Sequence, residues 1–150
     1  MVSTLYETLV FAFSEKDVIT HLDPATIGFT TNLPTFALGN IPRRQTAMNG
    51  GRSTSSYVDS ALIVQITPEG VQLVEYDAAL STFSKTGSGW YPKQLGSDYN
   101  GREVVAAAMS SSQYVAGLSR GRLVLLNLGQ GDDLQVVKCD QICAFHVAHI

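Results

Sequence analysis

The chain has 150 residues, of which 45% are hydrophobic and 15% charged, with a formal net charge of −3. A charged fraction below the usual ~25%, with many strand-forming residues, fits an all-β protein whose surface is partly covered by something else. The acidic balance argues against a broad basic nucleic-acid face. No stretch nears the roughly 18 apolar residues of a membrane span, so no membrane partner is expected.

The first five residues lack the basic region and long apolar core of a secretion signal. Residues 8–13 and 18–22 read as a hairpin across a polar turn at 14–17, and 25–29 is expected to add an outer strand. Residues 35–41 read as the inner strand of a new unit. Pro34 and Pro42 stand at its ends, where a missing N–H disturbs least. Residues 43–59 show no apolar periodicity and hold Asn49, Gly50, Gly51 and a Ser/Thr run, so they read as a long, mobile surface loop. Arg43, Arg44 and Arg52 make it the locally basic stretch. Two readings stand: a solvated insertion, or a weak contact with phosphate of a nucleic acid or with an acidic partner.

The clearest hairpin is 61–66 with 71–76, its turn holding Pro68 and Gly70. Residues 79–89 form a weaker outer strand anchored by Leu80 and Phe83. Trp90 is expected to pack between sheets rather than stand exposed as a binding aromatic. A polar connector at 93–102 leads to a small-residue inner strand, 104–108. Strands at 114–118, 122–127 and 134–139 complete a four-stranded unit, and 142–148 is expected to begin another inner strand. No 3.6-residue amphipathic pattern marks a helix.

Three strand–turn–strand segments recur, with turns at 14–17, 67–70 and 119–121. A spacing of about 50 residues is that of β-propeller blades, here WD40-like sheets of four antiparallel strands. The whole chain, 1–150, reads as part of one propeller of about three blades, with boundaries near 30–35 and 93–103. Propellers close with about four to eight blades. The expectation is therefore a piece of a longer protein, or a ring completed by a partner.

Catalytic chemistry is not expected. There is no nucleophile-elbow glycine–serine pattern, no phosphate-cradling loop and no zinc-protease helix motif. Asp132 and Asp133 read as a solvated turn, and Asp17 and Asp23 flank a short strand with nothing basic to tune them. His21 has no fixed relation to a nucleophile. Cys139, Cys143, His146 and His149 fall within eleven residues. Without a second pair at finger-like spacing, the cysteines read as small apolar residues of two successive strands, so neither metal nor cofactor is expected. Two cysteines supply no disulfide framework, which fits a reducing compartment. A hydrolase site assembled across distant blades is the enzymatic rival.

The order of the pieces carries a resemblance. Thr8 to Phe13 is followed by Ile27-Gly28-Phe29, Pro34-Thr35-Phe36 and Gly39-Asn40-Ile41. Then come Leu62 to Ile66 with Val71 to Val74, Trp90, a short connector, and Ser111 to Gln113 before Tyr114 to Gly117. This series resembles the second propeller of a multi-propeller family. Its members include the large subunit of the DNA-damage-binding protein, subunit 3 of splicing factor 3b and the largest subunit of the cleavage and polyadenylation specificity factor. The chain departs in its longer 43–59 insertion, around 87–98, and at Gln72, where the family pattern has Arg. The resemblance implies a non-catalytic nuclear scaffold, with the cytoplasm as a second location. Its partners would be a cullin and substrate receptors, as in a DNA-damage-binding-like ubiquitin-ligase adaptor, or else RNA-processing subunits.

Overall fold

The computed structural model describes residues 1–150 except 17, 78, 87–88, 111–112, 129–132 and 142–150, with backbone alone at 42–49 and 53–61. The described residues are all-β, with short 3-10 turns and no α-helix. They open with β1 (Val2–Ser3), β2 (Thr8–Leu9), β3 (Phe11–Phe13) and β4 (Ile19–His21). β1 pairs with β2 and β3 with β4, both antiparallel. The expected hairpin of 8–13 and 18–22 is there, shorter than its sequence suggests.

The outer strand expected at 25–29 is absent. Pro24–Thr26 is a 3-10 turn, because Pro24 fixes a turn-like φ and the Asp23 carboxylate accepts from the Ala25 N–H at 3.0 Å. Gly28 then adopts φ +62°, and a Cβ there would collide with the backbone of Ser84 and Lys85.

Two four-stranded antiparallel meanders follow. The first runs β5 (Ala37–Asn49), β6 (Arg52–Thr67), β7 (Gly70–Asp77) and β8 (Thr82–Lys85), in that spatial order. The second runs β9 (Val104–Met109), β10 (Gln113–Leu118), β11 (Arg122–Leu128) and β12 (Leu134–Gln141), again in order. Each is one propeller blade, and the sheets do not close into a ring. The inner strand expected at 142–148 lies outside the described residues.

The apolar alternation of the strands explains where the core sits. Leu62, Val64, Ile66, Val71 and Leu73 of the first blade are buried with Tyr114, Ala116, Leu118, Val124 and Leu126 of the second. Each Val, Leu or Ile among them contributes about 1.5–3 kcal/mol when fully buried. A smaller cluster of Val10, Ile27 and Phe29 covers the other face of the first blade at Val74. Phe29 packs tilted on Phe83 at 5.5 Å. The inner strands also crowd each other: Gly39 in β5 lies against the Met109 thioether of β9, closer than a Cβ would allow.

The loop expected at 43–59 is instead a two-stranded ribbon. Backbone pairing of β5 and β6 continues from Pro42↔Asp59 to Asn49↔Arg52, beyond the end of β7, whose pairing with β6 stops at Leu62. A register shift between Asn40 and Pro42 marks where the ribbon leaves the blade. Its turn uses Gly50 and Gly51 at φ +56° and +78°, the positive values that a tight two-residue hairpin needs.

Candidate interaction surfaces

The ribbon carries the three arginines singled out in the sequence. Arg43 pairs in register with Val58, Arg44 with Tyr57, and Arg52 with Asn49 at the tip. Arg43 and Arg44 are successive positions, hence of opposite parity in the strand. Position 43 lies six positions before Asn49 of the tip pair, about 20 Å at strand rise. The fold therefore strings these arginines along an arm and does not gather them at one point.

A second surface forms where the first blade hands the chain to the second. The connector after β8 is pinned at both ends. Trp90 N–H donates to the Val71 carbonyl at 2.7 Å, and Val71 N–H donates to the Trp90 carbonyl at 2.8 Å. At the far end Val104 N–H donates to the Pro68 carbonyl, and Ser119 N–H to the Glu103 carbonyl, both at 2.8 Å. Between these points lie 3-10 turns at Pro92–Leu95 and Ser97–Tyr99. The Gln94 side chain accepts from the Tyr91 N–H at 3.0 Å and caps the first turn. Gly70 has φ +151°, and a Cβ there would collide with the Trp90 carbonyl oxygen, so the close approach of turn and connector requires glycine.

Together the β6–β7 turn and the connector enclose an open groove of about 380 Å³, walled by Pro68, Glu69, Tyr91, Lys93, Arg102 and Glu103. Its cations are drawn toward aromatic rings. Lys93 Nζ sits 5.8 Å from the Tyr91 centroid, and the Arg102 guanidinium carbon 4.8 Å from that of Tyr99. Arg102 also donates from Nε to the Asp98 carbonyl at 3.1 Å and from Nη1 to the Ser119 carbonyl at 3.3 Å. The Tyr99 hydroxyl meets Cys139 Sγ at 3.6 Å; this contact and then desolvation raise the phenol pKa above its usual value.

Sequence reasoning missed the groove, because its walls come from a hairpin turn and a connector more than twenty residues away. The available signal was the presence of Tyr91, Pro92 and Tyr99 in an otherwise polar connector. Trp90, by contrast, is buried as expected. His21 packs on Phe11 at 5.3 Å, Asp23 is occupied as a cap, and Asp133 is exposed. Asp17, Asp132, Cys143, His146 and His149 lie outside the described residues. Among the described residues, no three His, Cys, Asp or Glu side chains are grouped as a metal site would require. No described helix is long and apolar enough to cross a membrane.

Buried polar groups tie the first blade to the segment before it. Gln65 Nε2 donates to the Thr30 carbonyl at 2.8 Å and to Thr35 Oγ1 at 2.7 Å, while its Oε1 accepts from the Thr30 N–H at 2.9 Å. Gln72 Nε2 donates to Gln65 Oε1, and Gln72 Oε1 accepts from Thr30 Oγ1 at 3.0 Å. Thr8 closes the set, donating to the Leu33 carbonyl at 2.8 Å.

Comparison with known proteins places this architecture. No curated protein matches the chain. A family model described as the RSE1/DDB1/CPSF1 second beta-propeller matches residues 1–148. With two stacked meander blades and a match over nearly its full length, the chain belongs to the RSE1/DDB1/CPSF1 second beta-propeller family.

Proposed function

We propose that the chain is a protein-interaction scaffold, part of a DNA-damage-binding-like adaptor that links a cullin-RING ubiquitin ligase to its substrate receptors in the nucleus. The observation that carries the scaffold reading is membership of a propeller family across residues 1–148. Two features of the chain support it. Its blades are rigid sheets that present turns, a ribbon and a pinned connector, the arrangement by which loops recognise partners. The second is the buried amide network of Gln65, Gln72 and Thr30, which fixes the first blade to the segment before it. The adaptor reading takes its partner from the resemblance of the segment order to the second propeller of the damage-binding member.

The test is direct binding to a purified cullin N-terminal region by isothermal titration. Saturable binding near 1:1 is expected. No binding, together with stable co-elution with splicing or polyadenylation subunits, would move the chain to an RNA-processing scaffold. Binding to neither set would contradict both assignments.

A further inference from the structure

We propose that Thr46, in the β5–β6 ribbon, is a phosphoacceptor for a serine/threonine protein kinase that recognises arginine, and that phosphate there cancels the positive charge of the arm. Modification at this position goes beyond the scaffold reading and is independent of which partners the propeller binds.

The sequence marks the site. Arg43 and Arg44 stand three and two positions before Thr46, and no other Ser or Thr of the chain has arginine at both places. Ser55 follows Arg52 by three positions, and no further Ser or Thr is placed in that way after an arginine. Kinases choose substrates by charge pattern. A substrate cleft lined with carboxylates takes guanidinium groups in bidentate pairs, at a fixed distance from the acceptor hydroxyl. The fold then sets the two acceptors side by side. Thr46 and Ser55 are register partners, three pairs in from the tip pair Asn49↔Arg52. The turn at Gly50 and Gly51 fixes that register.

The ribbon also presents the acceptor in a usable form. A kinase cleft takes its substrate as a single extended strand. β5 is the edge strand of its sheet, and from Pro42 to Asn49 it pairs only with β6 among the described residues. The pairing of β6 with β7 has already stopped at Leu62. An isolated two-stranded ribbon is marginally stable in water. Freeing this part of β5 therefore costs far less than opening a blade, where buried side chains such as Val64 and Leu73 also hold the strands.

The step is phosphoryl transfer from a nucleoside triphosphate. The Thr46 hydroxyl oxygen forms a bond to the γ-phosphorus, and the bond from that phosphorus to the bridging oxygen breaks. The hydroxyl proton passes to the kinase's catalytic carboxylate, and the nucleoside diphosphate leaves. The product carries a charge of about −1.5 to −2 at pH 7. Positions 42–59 hold three arginines against one aspartate, Asp59, so one phosphate takes the arm from basic to nearly neutral. Arg44 lies two positions away, on the same face of the strand, and is placed to compensate the phosphate. A second phosphate on Ser55 would stand directly opposite the first, and like charges in that relation destabilise a strand pair. One phosphate per chain is therefore the favoured product.

The test incubates the full chain with the catalytic subunit of cyclic-AMP-dependent protein kinase and magnesium ATP, and follows incorporation and position by mass spectrometry. Expected is one phosphate at Thr46, formed about ten-fold more slowly in Arg43→Ala/Arg44→Ala. Thr46→Ala should leave only slow labelling at Ser55. In the isotopically labelled chain, amide shifts on phosphorylation should be confined to residues 43–58, with the blade signals kept, which shows that the folded chain is the substrate. Absence of phosphate at Thr46, labelling unchanged in the double-arginine variant, or labelling at Thr46 only after the chain has been heated through its unfolding transition would overturn the proposal.

Discussion

Gln65 is fully buried and bonds both the N–H and the carbonyl of Thr30 through its amide. Truncating it to alanine strands those backbone groups and the Gln72 amide away from water. Unmade buried hydrogen bonds of this kind cost about 1–3 kcal/mol each. Gln65→Ala is therefore expected to lose about 2–4 kcal/mol in urea denaturation, a range that reflects partial relaxation. Tyr114 presents the opposite case. Its hydroxyl is buried without a hydrogen-bond partner, and burial raises its pKa. Tyr114→Phe removes an unsatisfied group and keeps the ring, so stability should stay within about 1 kcal/mol of the parent or rise. The sign with pH follows. The unfolded phenol ionises near pH 10, whereas the folded one resists. The stability this group provides is thus complete below about pH 10 and is lost as pH climbs toward the folded value. Thermal melts above pH 10 should show a shallower decline for Tyr114→Phe than for the parent, and parallel declines would contradict the assignment.

Among the elements, the β5–β6 ribbon was the hardest to foresee. Beyond Leu62 its two strands pair only with each other among the described residues, away from the edge-to-edge pairing of the blade. The Arg43–Asp59 stretch thus carries a loop-like composition on a strand backbone. The cue that remained was Asn49-Gly50-Gly51, a tight-hairpin turn. The 25–29 strand failed for a related reason, as Pro24 and the Asp23 cap outweigh the β-propensity of Ile27 and Phe29. By contrast, hairpins such as β6–β7 and β10–β11 were legible because each strand contributes side chains to a buried face. Gln72, a departure from the resembling pattern, proves to be part of the buried amide network, where an unpaired arginine charge would be costly. The ribbon also bears on nucleic acid. With Arg43 and Arg52 about 20 Å apart along the arm, we expect a single-stranded oligonucleotide to bind weakly, with a log–log salt slope shallower than about −2. The Arg43→Ala/Arg44→Ala/Arg52→Ala variant should change that slope little. A steep slope abolished by the triple substitution would instead make the arm a phosphate-binding element.

At the scale of the whole molecule, the two blades cover each other and leave apolar surface elsewhere. Leu5 is 84%, Phe13 73% and Ile19 61% exposed at the β1–β4 end. On the outer strand of the second blade Val137 is 54% exposed, beside a charged Lys138–Asp140 pair at 2.7 Å. Blades of a propeller bury such faces against neighbours. The isolated chain should accordingly bind an apolar dye and self-associate in sedimentation experiments, and a monodisperse, dye-negative chain would argue against open blade faces. The repeat was readable because every blade reuses one strand–turn–strand plan, whereas the groove between the β6–β7 turn and the connector was not, since it exists where two blades meet. The chain belongs to a propeller scaffold family, and the proposed link to a cullin and its substrate receptors is open to one direct measurement. That measurement is affinity capture of the tagged chain from nuclear extract, with partners identified by mass spectrometry. A cullin with its substrate receptors at near-stoichiometric yield is the expected result. Splicing or polyadenylation subunits in their place would contradict the adaptor role.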